Sequence, residues 1–235
     1  MRLAVIPARG GSKRIPRKNI KPFAGKPMIA WSIEGALKSG CFDRIIVSTD
    51  DAEIADFARS AGAETPFIRP SSLSDDHTGT VPVVAHAIEW AMESGVCVEE
   101  ICCIYATAPF IQPSDIRQAL DRLLTHSSDY VFPVVSYPAP VQRAIKIDSD
   151  GRAAMFNPKL YGTRSQDLEE AYYDAGQFYW GTREAWLKSQ PIFSSGAMPL
   201  VVPRYRVQDI DTEEDWRYAE IMFDLLSSLA PQDTE

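Results

Sequence analysis

Residues 3–19 read LAVIPARGGSKRIPRKN, a short apolar run that leads into a glycine-rich loop. The loop carries five cationic side chains: Arg9, Lys13, Arg14, Arg17 and Lys18. Backbone N–H groups freed by glycines, together with several cations on one loop, suit a bound polyphosphate. A solvated basic loop is the alternative, but this loop contains no acid and follows the first strand directly, where α/β proteins bind ligands. The segment therefore predicts an α/β fold with a phosphate-binding loop.

Positive charge is concentrated at this end of the chain. Eight of the first 33 residues are Lys or Arg and none is acidic, although the 235 residues include 24 basic and 32 acidic ones and carry a net charge of −8. Extended nucleic-acid backbones bind broad basic surfaces, so an acidic protein argues against a nucleic-acid partner and for a small anion. No apolar run is long enough for a membrane span or a signal-peptide core, and the four cysteines lack metal-ligand spacing. We therefore expect no membrane partner and a cytoplasmic location.

Strand and helix patterns alternate along the chain. Apolar runs predict strands at 3–7, 44–48, 100–106, 130–136, 177–180 and 200–202, and the segment 66–68 is strand-like. Periodic segments predict helices at 27–39, 50–60, 80–94, 114–126, from 183 and from 212, and the end of the chain, 230–235, is expected to fray. Asp50 is expected to cap the second helix, with Glu53 as its capping-box partner. This alternation predicts a doubly wound, mostly parallel sheet whose ligands bind at the carboxyl ends of the strands.

One long segment interrupts the alternation. Residues 138–173 leave the predicted sheet and contain a hairpin pattern around the turn at 149–151. An insertion of this length in a compact domain usually has a function or packs on a partner. Its apolar side chains, which a short hairpin cannot bury alone, are Ile145, Ile147, Met155 and Phe156. The sequence therefore predicts a main domain formed by residues 1–137 and 174–229, with an inserted segment between them.

A pair of carboxylates near the C-terminal end is a second candidate site. Asp209 and Asp211 point to the same side of an extended segment, and a divalent cation relieves their repulsion. Mg²⁺ typically binds one or two protein carboxylates together with substrate phosphates. The alternative is local, because Thr212 and Asp215 can start a helix whose dipole Asp211 merely favours. The spacing leaves both interpretations open, and the phosphate loop favours the metal.

Further signals lie at the predicted ligand edge of the sheet. Arg69 is an isolated cation after the segment 66–68, and Thr107 follows the strand predicted at 100–106. The segment 172–180 is unusually aromatic, which is more often a property of a core or an interface than of a sugar platform. None of these signals identifies a ligand by itself.

Taken together, the motifs resemble the CMP-sialic acid synthetase family. They occur in that family's order: ARGGSK-x-x-P-x-KN at 8–19, FDRIIVSTD at 42–50, RP at 69–70, TAP at 107–109 and DID at 209–211. The resemblance implies a CTP-dependent cytidylyltransferase that requires Mg²⁺. It also implies a Rossmann-like nucleotidyltransferase domain, residues 1–137 and 174–229, and a homodimer built by the inserted arm, residues 138–173.

The resemblance also implies roles for individual residues. Nucleotide and phosphate contacts fall on Ala8, Arg9, Gly10, Gly11, Ser12, Lys13, Asn19 and Arg69. Lys18 matches a lysine that assists at the reacting phosphate, with Lys13 and Arg9 as the other catalytic cations. Asp209 and Asp211 match the metal carboxylates.

The sugar side departs from family members that use N-acetylneuraminate. Tyr105 stands where they carry a glutamine that meets the sugar, and Tyr173 where they carry an arginine. The block DAGQFYW at 174–180 is similar to that of the pseudaminic acid cytidylyltransferases. The expected sugar contacts are Tyr105, Thr107, Tyr173, Asp174 and Gln177.

The expected reaction is transfer of CMP from CTP to a nine-carbon α-keto acid sugar, an acidic nonulosonate, with pseudaminate as the first candidate. The alternatives within the class are N-acetylneuraminate, legionaminate and keto-deoxyoctulosonate. A more distant alternative is a non-catalytic nucleotide-binding regulator.

Overall fold

The apolar runs form the strands of a central sheet, and the periodic segments form its helices, in a computed structural model that describes residues 1–229. The strands are β1 (Arg2–Pro7), β2 (Pro22–Phe23), β3 (Lys26–Pro27), β4 (Arg44–Ser48), β5 (Glu100–Ile104), β6 (Tyr130–Ser136), β7 (Ile145–Ile147), β8 (Ala153–Met155), β9 (Tyr172–Asp174), β10 (Phe178–Thr182) and β11 (Ala197–Val201). The helices are α1 (Met28–Ser39), α2 (Ala52–Ser60), α3 (Thr80–Glu93), α4 (Pro113–His126), α5 (Arg183–Leu187) and α6 (Glu213–Leu229). The expected fraying at 230–235 concerns residues outside this description.

The main sheet has the strand order β11-β6-β10-β5-β1-β4, with β9 paired to β6. Strand β1 runs parallel to β4 and β5, and β11 runs parallel to β6. Strands β9 and β10 run antiparallel to their neighbours. The prediction of a doubly wound, mostly parallel sheet is confirmed, and the carboxyl ends of β4, β1 and β5 lie side by side at one edge.

Side-chain alternation along β1 explains why helices cover both faces of the sheet. Ala4 and Ile6 pack into a cluster with apolar residues of α1, α2 and α4. Leu3 and Val5 pack into a second cluster with α3 and α5. Because successive strand residues point to opposite faces, a continuously apolar strand requires cover on both. These four side chains are fully buried.

A third cluster lies beside the sheet and joins loops to α6. Ile15, from the basic loop, and Ile210, from the segment before α6, are both buried there against Trp216. Phe23 packs edge-on against the Trp216 ring, with 5.5 Å between the ring centroids. The cluster brings the basic loop and the Asp209–Asp211 segment together.

Two local predictions are wrong. The cap of α2 is Asp51 and not Asp50, because the Asp51 carboxylate accepts the N–H groups of Glu53 and Ile54, each at 3.0 Å. The segment 66–68 forms no strand, since Pro66 has no N–H to donate and the side chain of Ile68 is exposed. The only bridge in this stretch of the described chain pairs Glu64 with Ile46.

The inserted arm leaves the sheet after β6 and returns through β9. Its hairpin, β7 with β8, has the predicted antiparallel pairing. Ile145, Ile147 and Phe156 are exposed on it, at 61%, 76% and 69% of their surface. β9 begins at Tyr172, so the last two residues of the range 138–173 already belong to the main sheet. Among residues 1–229, no helix combines the length and apolar character that crossing a membrane requires.

Replacing Asp51 should destabilise the fold. Asp51→Ala removes the cap of α2 and the ion pair with Arg17, so we expect the free energy of unfolding to fall by about 1–2 kcal/mol. The Arg17 hydrogen bond holds the pKa of Asp51 below its ordinary value. The contribution of Asp51 is therefore present above the ordinary pKa and lost as pH falls through the lowered, folded-state value.

Denaturant unfolding at neutral and acidic pH measures both effects. Asp56→Ala is the matched control, because Asp56 lies on the exposed side of the same helix and pairs only with Arg59. Equal losses of stability for the two variants at neutral pH would contradict the cap.

Candidate active site

Three hydrogen bonds hold the basic loop in place after β1. The Ala8 N–H donates to the Ser48 carbonyl at 2.9 Å, and the buried Asn19 amide donates to the Arg9 carbonyl at 2.9 Å. The Gly10 N–H donates to Asp50 at 3.0 Å. A Cβ at Gly10 would lie 2.6 Å from the carboxylate of Asp51, so this position requires glycine. The loop is thus closed over the strand end before any ligand arrives.

An open cleft of about 450 Å³ lies between this loop and the ends of β1 and β5. We call it the basic cleft. Eight residues predicted for the site line it: Arg9, Ser12, Lys13, Lys18, Asn19, Arg69, Tyr105 and Thr107. Ala8, Gly10 and Gly11 belong to the loop but not to the cleft lining. The structure therefore brings these eight residues together at the carboxyl edge of the sheet, where α/β proteins bind ligands.

Two of the loop cations are paired with an acid from another segment. Arg9 Nη1 donates to Asp76 Oδ1 at 2.6 Å and to the Asp75 carbonyl at 3.0 Å, and Lys13 forms an ion pair with the same Asp76 carboxylate. Hydrogen bonds from Lys13 and then Arg9 hold the pKa of Asp76 below its ordinary value. Sequence reasoning missed Asp76, since nothing local links residue 76 to residues 9 and 13.

Arg69 is the most deeply buried cation of the basic cleft, with 4% of its surface exposed. Its Nε donates to Ser74 Oγ at 3.2 Å, and its Nη2 lies 3.6 Å from Asp50 Oδ1. Within residues 1–229 the Nη2 atom has no hydrogen-bond partner. Burial lowers the pKa of Arg69, and the Asp50 charge opposes that shift. A buried guanidinium with an unused donor is ready to receive an acceptor in the cleft.

A second cleft, of about 490 Å³, adjoins the first. We call it the acidic cleft, and its lining is Tyr173, Asp174, Val207, Gln208, Asp209, Asp211 and Asp215. Lys18 Nζ donates to the Ile210 carbonyl at 2.6 Å and lies 3.4 Å from Asp211 Oδ1. Arg14 Nη1 donates to Asp211 Oδ2 at 2.7 Å. Because both cations line the basic cleft, they form the junction between the two clefts.

The structure confirms the helix start by Thr212 and Asp215 that the local interpretation of this segment expects. The start of α6 is capped by Asp215 and Thr212: the Asp215 carboxylate accepts the N–H groups of Asp211 and Thr212, and Thr212 Oγ1 accepts the Asp215 N–H. Asp209 and Asp211 are therefore not needed for capping. Desolvation, and after it the nearby Asp211 charge, raises the pKa of Asp209, and the charges of Lys18 and Arg14 oppose that shift. Two such carboxylates suit a hard divalent cation that also binds phosphate oxygens.

The residues predicted to bind a sugar do not lie in one place. Tyr105 and Thr107 line the basic cleft, whereas Tyr173 and Asp174 line the acidic cleft. Gln177 lines neither cleft, because it is 5% exposed and its amide donates to the Arg206 carbonyl at 2.7 Å.

A buried tyrosine connects the two clefts. Tyr179 packs against the Tyr105 ring, with 5.3 Å between the centroids, and its hydroxyl donates to Asp174.

Comparison with known proteins shows which family the chain resembles. Residues 3–209 match the family model described as cytidylyltransferase. The chain is 45% identical to the pseudaminic acid cytidylyltransferase of Campylobacter jejuni subsp. jejuni serotype O:23/36 (strain 81-176), over 94% of this chain and 95% of that protein. It is 34% identical to the CMP-N,N'-diacetyllegionaminic acid synthase of Legionella pneumophila subsp. pneumophila, over 95% of this chain and 96% of that protein.

A solved structure supports the fold. The CMP:2-keto-3-deoxy-manno-octonic acid synthetase complexed with CTP superposes with a TM-score of 0.69 at 17% identity. The superposition covers 96% of this chain and 99% of that one.

The basic cleft should bind a nucleoside triphosphate through Arg9 and Lys13. Arg9→Ala and Lys13→Ala should each weaken binding by about 1.5–4 kcal/mol, because each removes a charge-assisted contact to phosphate. Thermal stability should barely change, since the ion pairs with Asp76 are exposed. Calorimetric titration measures the affinity.

Arg2→Ala is the control for general charge. Arg2 lies 3.6 Å from Glu100 and outside the cleft lining. Equal losses of affinity for the Arg2 and Arg9 variants would mean that net charge, and not a site, binds the phosphates.

Proposed function

The chain belongs to the cytidylyltransferase family, and from this premise we propose that it transfers CMP from CTP to pseudaminate and releases pyrophosphate. The relative from Campylobacter jejuni, which matches nearly the whole chain, carries the name pseudaminic acid cytidylyltransferase. The observation that carries the proposal is the pair of adjoining clefts of opposite charge, joined at the contact of Lys18 with Asp211.

In this proposal the nucleotide occupies the basic cleft. Arg9 and Lys13 bind the triphosphate in place of Asp76, and Arg69 contacts the cytidine side. Ser12 and the loop N–H groups add neutral donors. The closed loop holds these donors in position before the nucleotide arrives, which lowers the entropic cost of binding.

The sugar's anomeric hydroxyl attacks the α-phosphorus in line. A bond forms between that oxygen and the α-phosphorus, the bond from the α-phosphorus to the bridging oxygen breaks, and pyrophosphate leaves with the bonding electrons. The hydroxyl proton passes to solvent or to a base. Such transfers depend on positioning and charge neutralisation. The position of Lys18 at the junction of the clefts supports a role for it at the reacting phosphate.

Mg²⁺ is the cofactor of this proposal. Asp209 and Asp211 would hold it, because both line the acidic cleft and neither is used to cap α6. When bound, Mg²⁺ neutralises charge on the phosphates of the nucleotide. Lys18 and Arg14 balance Asp211 from the other side.

The sugar would lie along the acidic cleft. Tyr173 presents an aromatic ring there, and Asp174 presents a carboxylate whose oxygens accept the Gly176 N–H at 3.0 Å and the Tyr179 hydroxyl. A tyrosine face covers apolar sugar surface while its hydroxyl keeps one hydrogen bond. This suits pseudaminate, which has an extra acylamino group and a terminal deoxy carbon. Legionaminate, N-acetylneuraminate and keto-deoxyoctulosonate are the competing substrates.

We further infer a homodimer and a cytoplasmic location. The arm exposes Ile145, Ile147 and Phe156, and a second copy of the chain would cover them. The four cysteines form no disulfide, which favours a reducing compartment.

Substrate selectivity tests the reaction. With CTP and Mg²⁺, we expect kcat/KM for pseudaminate to exceed that for N-acetylneuraminate by about 10² or more, because the wrong sugar leaves buried polar groups unpaired. Release of pyrophosphate with each of the four acids measures this. Comparable turnover of pseudaminate and N-acetylneuraminate would contradict the selectivity, and turnover of no acid would favour a nucleotide-binding regulator.

Dependence of the activity on Mg²⁺ tests the proposed metal-binding role of Asp209 and Asp211. Activity should vanish in EDTA and return with Mg²⁺, and Asp211→Asn should lower kcat by at least about 10²-fold, as loss of one preorganised electrostatic group does. Glu213→Gln is the control, since Glu213 pairs with Lys21 and lies outside both cleft linings. Full activity of Asp211→Asn would remove Asp211 from the site.

The oligomeric state of the protein in solution tests whether the arm forms a dimer contact. Light scattering at micromolar concentration should give twice the 26.2 kDa of one chain. Ile147→Asn should weaken the dimer, because it places an amide in an apolar contact, whereas Lys146→Asn, on the opposite face of the same strand, should not. A monomeric wild-type protein would overturn the dimer.

A further inference from the structure

The Asp209–Asp211 segment is held at its middle by the buried side chain of Ile210, and the backbone that leads into it is held separately. It follows β11 and a short turn at Arg204–Arg206, and it ends at α6. The turn contacts the body of the main domain through the side chain and the backbone carbonyl of Arg206. The position of this turn therefore constrains the backbone that carries Asp209 and Asp211.

An ion pair ties the turn to α4. Arg206 Nη1 lies 3.1 Å from Asp115 Oδ2, and Arg206 Nη2 lies 3.5 Å from Asp115 Oδ1. Asp115 lies in the first turn of α4 and is 6% exposed. This two-point geometry needs the planar fork of arginine, which lysine does not provide. Helix α4 itself packs against β6, β10 and β11, so the anchor is rigid.

A buried amide ties the same turn to the sheet edge. The side-chain Nε2 of Gln177 donates to the Arg206 carbonyl at 2.7 Å. The backbone carbonyl of Gln177 accepts the Tyr105 N–H at 2.8 Å. Tyr105 follows β5 and lines the basic cleft. One residue thus links the wall of the basic cleft to the turn that precedes the carboxylates of the acidic cleft.

We propose that Arg206, Asp115 and Gln177 are positioning residues that set the Asp209–Asp211 segment for the divalent cation. This inference rests on the Mg²⁺ role in the proposed function. The three residues touch neither cleft, so they act through the backbone of residues 204–211. Partners that hydrogen-bond directly to metal ligands typically change metal affinity by about 10–100-fold when they are removed, and the lower end of that range is expected for residues that act through the backbone.

The test measures metal binding without turnover. Electron paramagnetic resonance reports binding of Mn²⁺ to the full-length protein in the presence of CTP and absence of sugar acid. Arg206→Lys and Asp115→Asn should each weaken Mn²⁺ binding by about tenfold. The Mg²⁺ concentration that gives half-maximal rate should rise in parallel, with kcat largely recovered at saturating Mg²⁺. Binding of CTP in EDTA should be unchanged, because Arg9 and Lys13 are untouched.

Matched controls lie on the same helix. Arg117→Lys alters an arginine that donates to the Lys38 and Ser39 carbonyls, and Asp121→Asn alters an exposed acid. If Arg206→Lys does not fold, Gln177→Met removes the amide donor while keeping side-chain bulk, and it carries the same expectation. Gln177→Glu should bind Mn²⁺ no better than Gln177→Met, because a carboxylate cannot donate to the Arg206 carbonyl.

The outcomes are distinct. Variants that bind Mn²⁺ as the controls do, whatever their melting temperature, would overturn the inference and leave the proposed function intact. Parallel losses of Mn²⁺ binding and metal-free CTP binding would also overturn it, because they indicate general damage. A wild-type protein that binds CTP but no Mn²⁺ would refute the metal assignment itself, and with it the inference.

Discussion

Burial of Ile15 and Ile210 in one apolar cluster is the contact on which the site depends. Each belongs to a segment that carries charge, the basic loop in one case and the carboxylate segment in the other, and both share this cluster with Trp216. Apolar contact is not directional, but it fixes the distance between the two segments. Because Ile210 points inward, its neighbours Asp209 and Asp211 are left on the outer side, where they line the acidic cleft. The cluster thus brings the cations of the basic loop next to the carboxylates of the acidic cleft.

Acids from other segments balance the positive charge of the basic loop. Arg17 pairs with Asp51 from the start of α2, Lys13 with Asp76, and Arg14 with Asp211. The pairs differ in burial, and this difference matters for binding. Asp51 also caps a helix and is fixed there, whereas Asp76 is exposed. Exposed ion pairs contribute little net free energy, so a polyphosphate can replace Asp76 at small cost while the loop keeps its shape.

Much of the fold could be predicted because it is recorded in local patterns. The strands at 44–48 and 130–136 and the helix at 28–39 coincide with apolar runs or periodic segments, within a residue of the expected ends. The error at the start of α2 arose because Asp50 and Asp51 are adjacent and chemically equal. Only the path of the chain decides that Asp51 faces the helix and Asp50 faces the Gly10 N–H.

The sequence indicated the residue types of the candidate site but not their division between two clefts. Residue types and the resemblance named the cations, but the pairing of Arg9 with Asp76 joins residues far apart in sequence, and no periodicity records it. The same holds for Gln177, whose polar side chain suggested a ligand contact and instead holds the Arg206 carbonyl. The division matters for how such enzymes diverge. Tyr173 and Asp174 lie in a different cleft from Arg9 and Lys13, so under the proposed assignment the sugar contacts can change while the phosphate contacts stay the same. Tyr105 is the exception, because it lines the basic cleft and reaches Asp174 through Tyr179. A change at Tyr105 therefore acts on both sides at once.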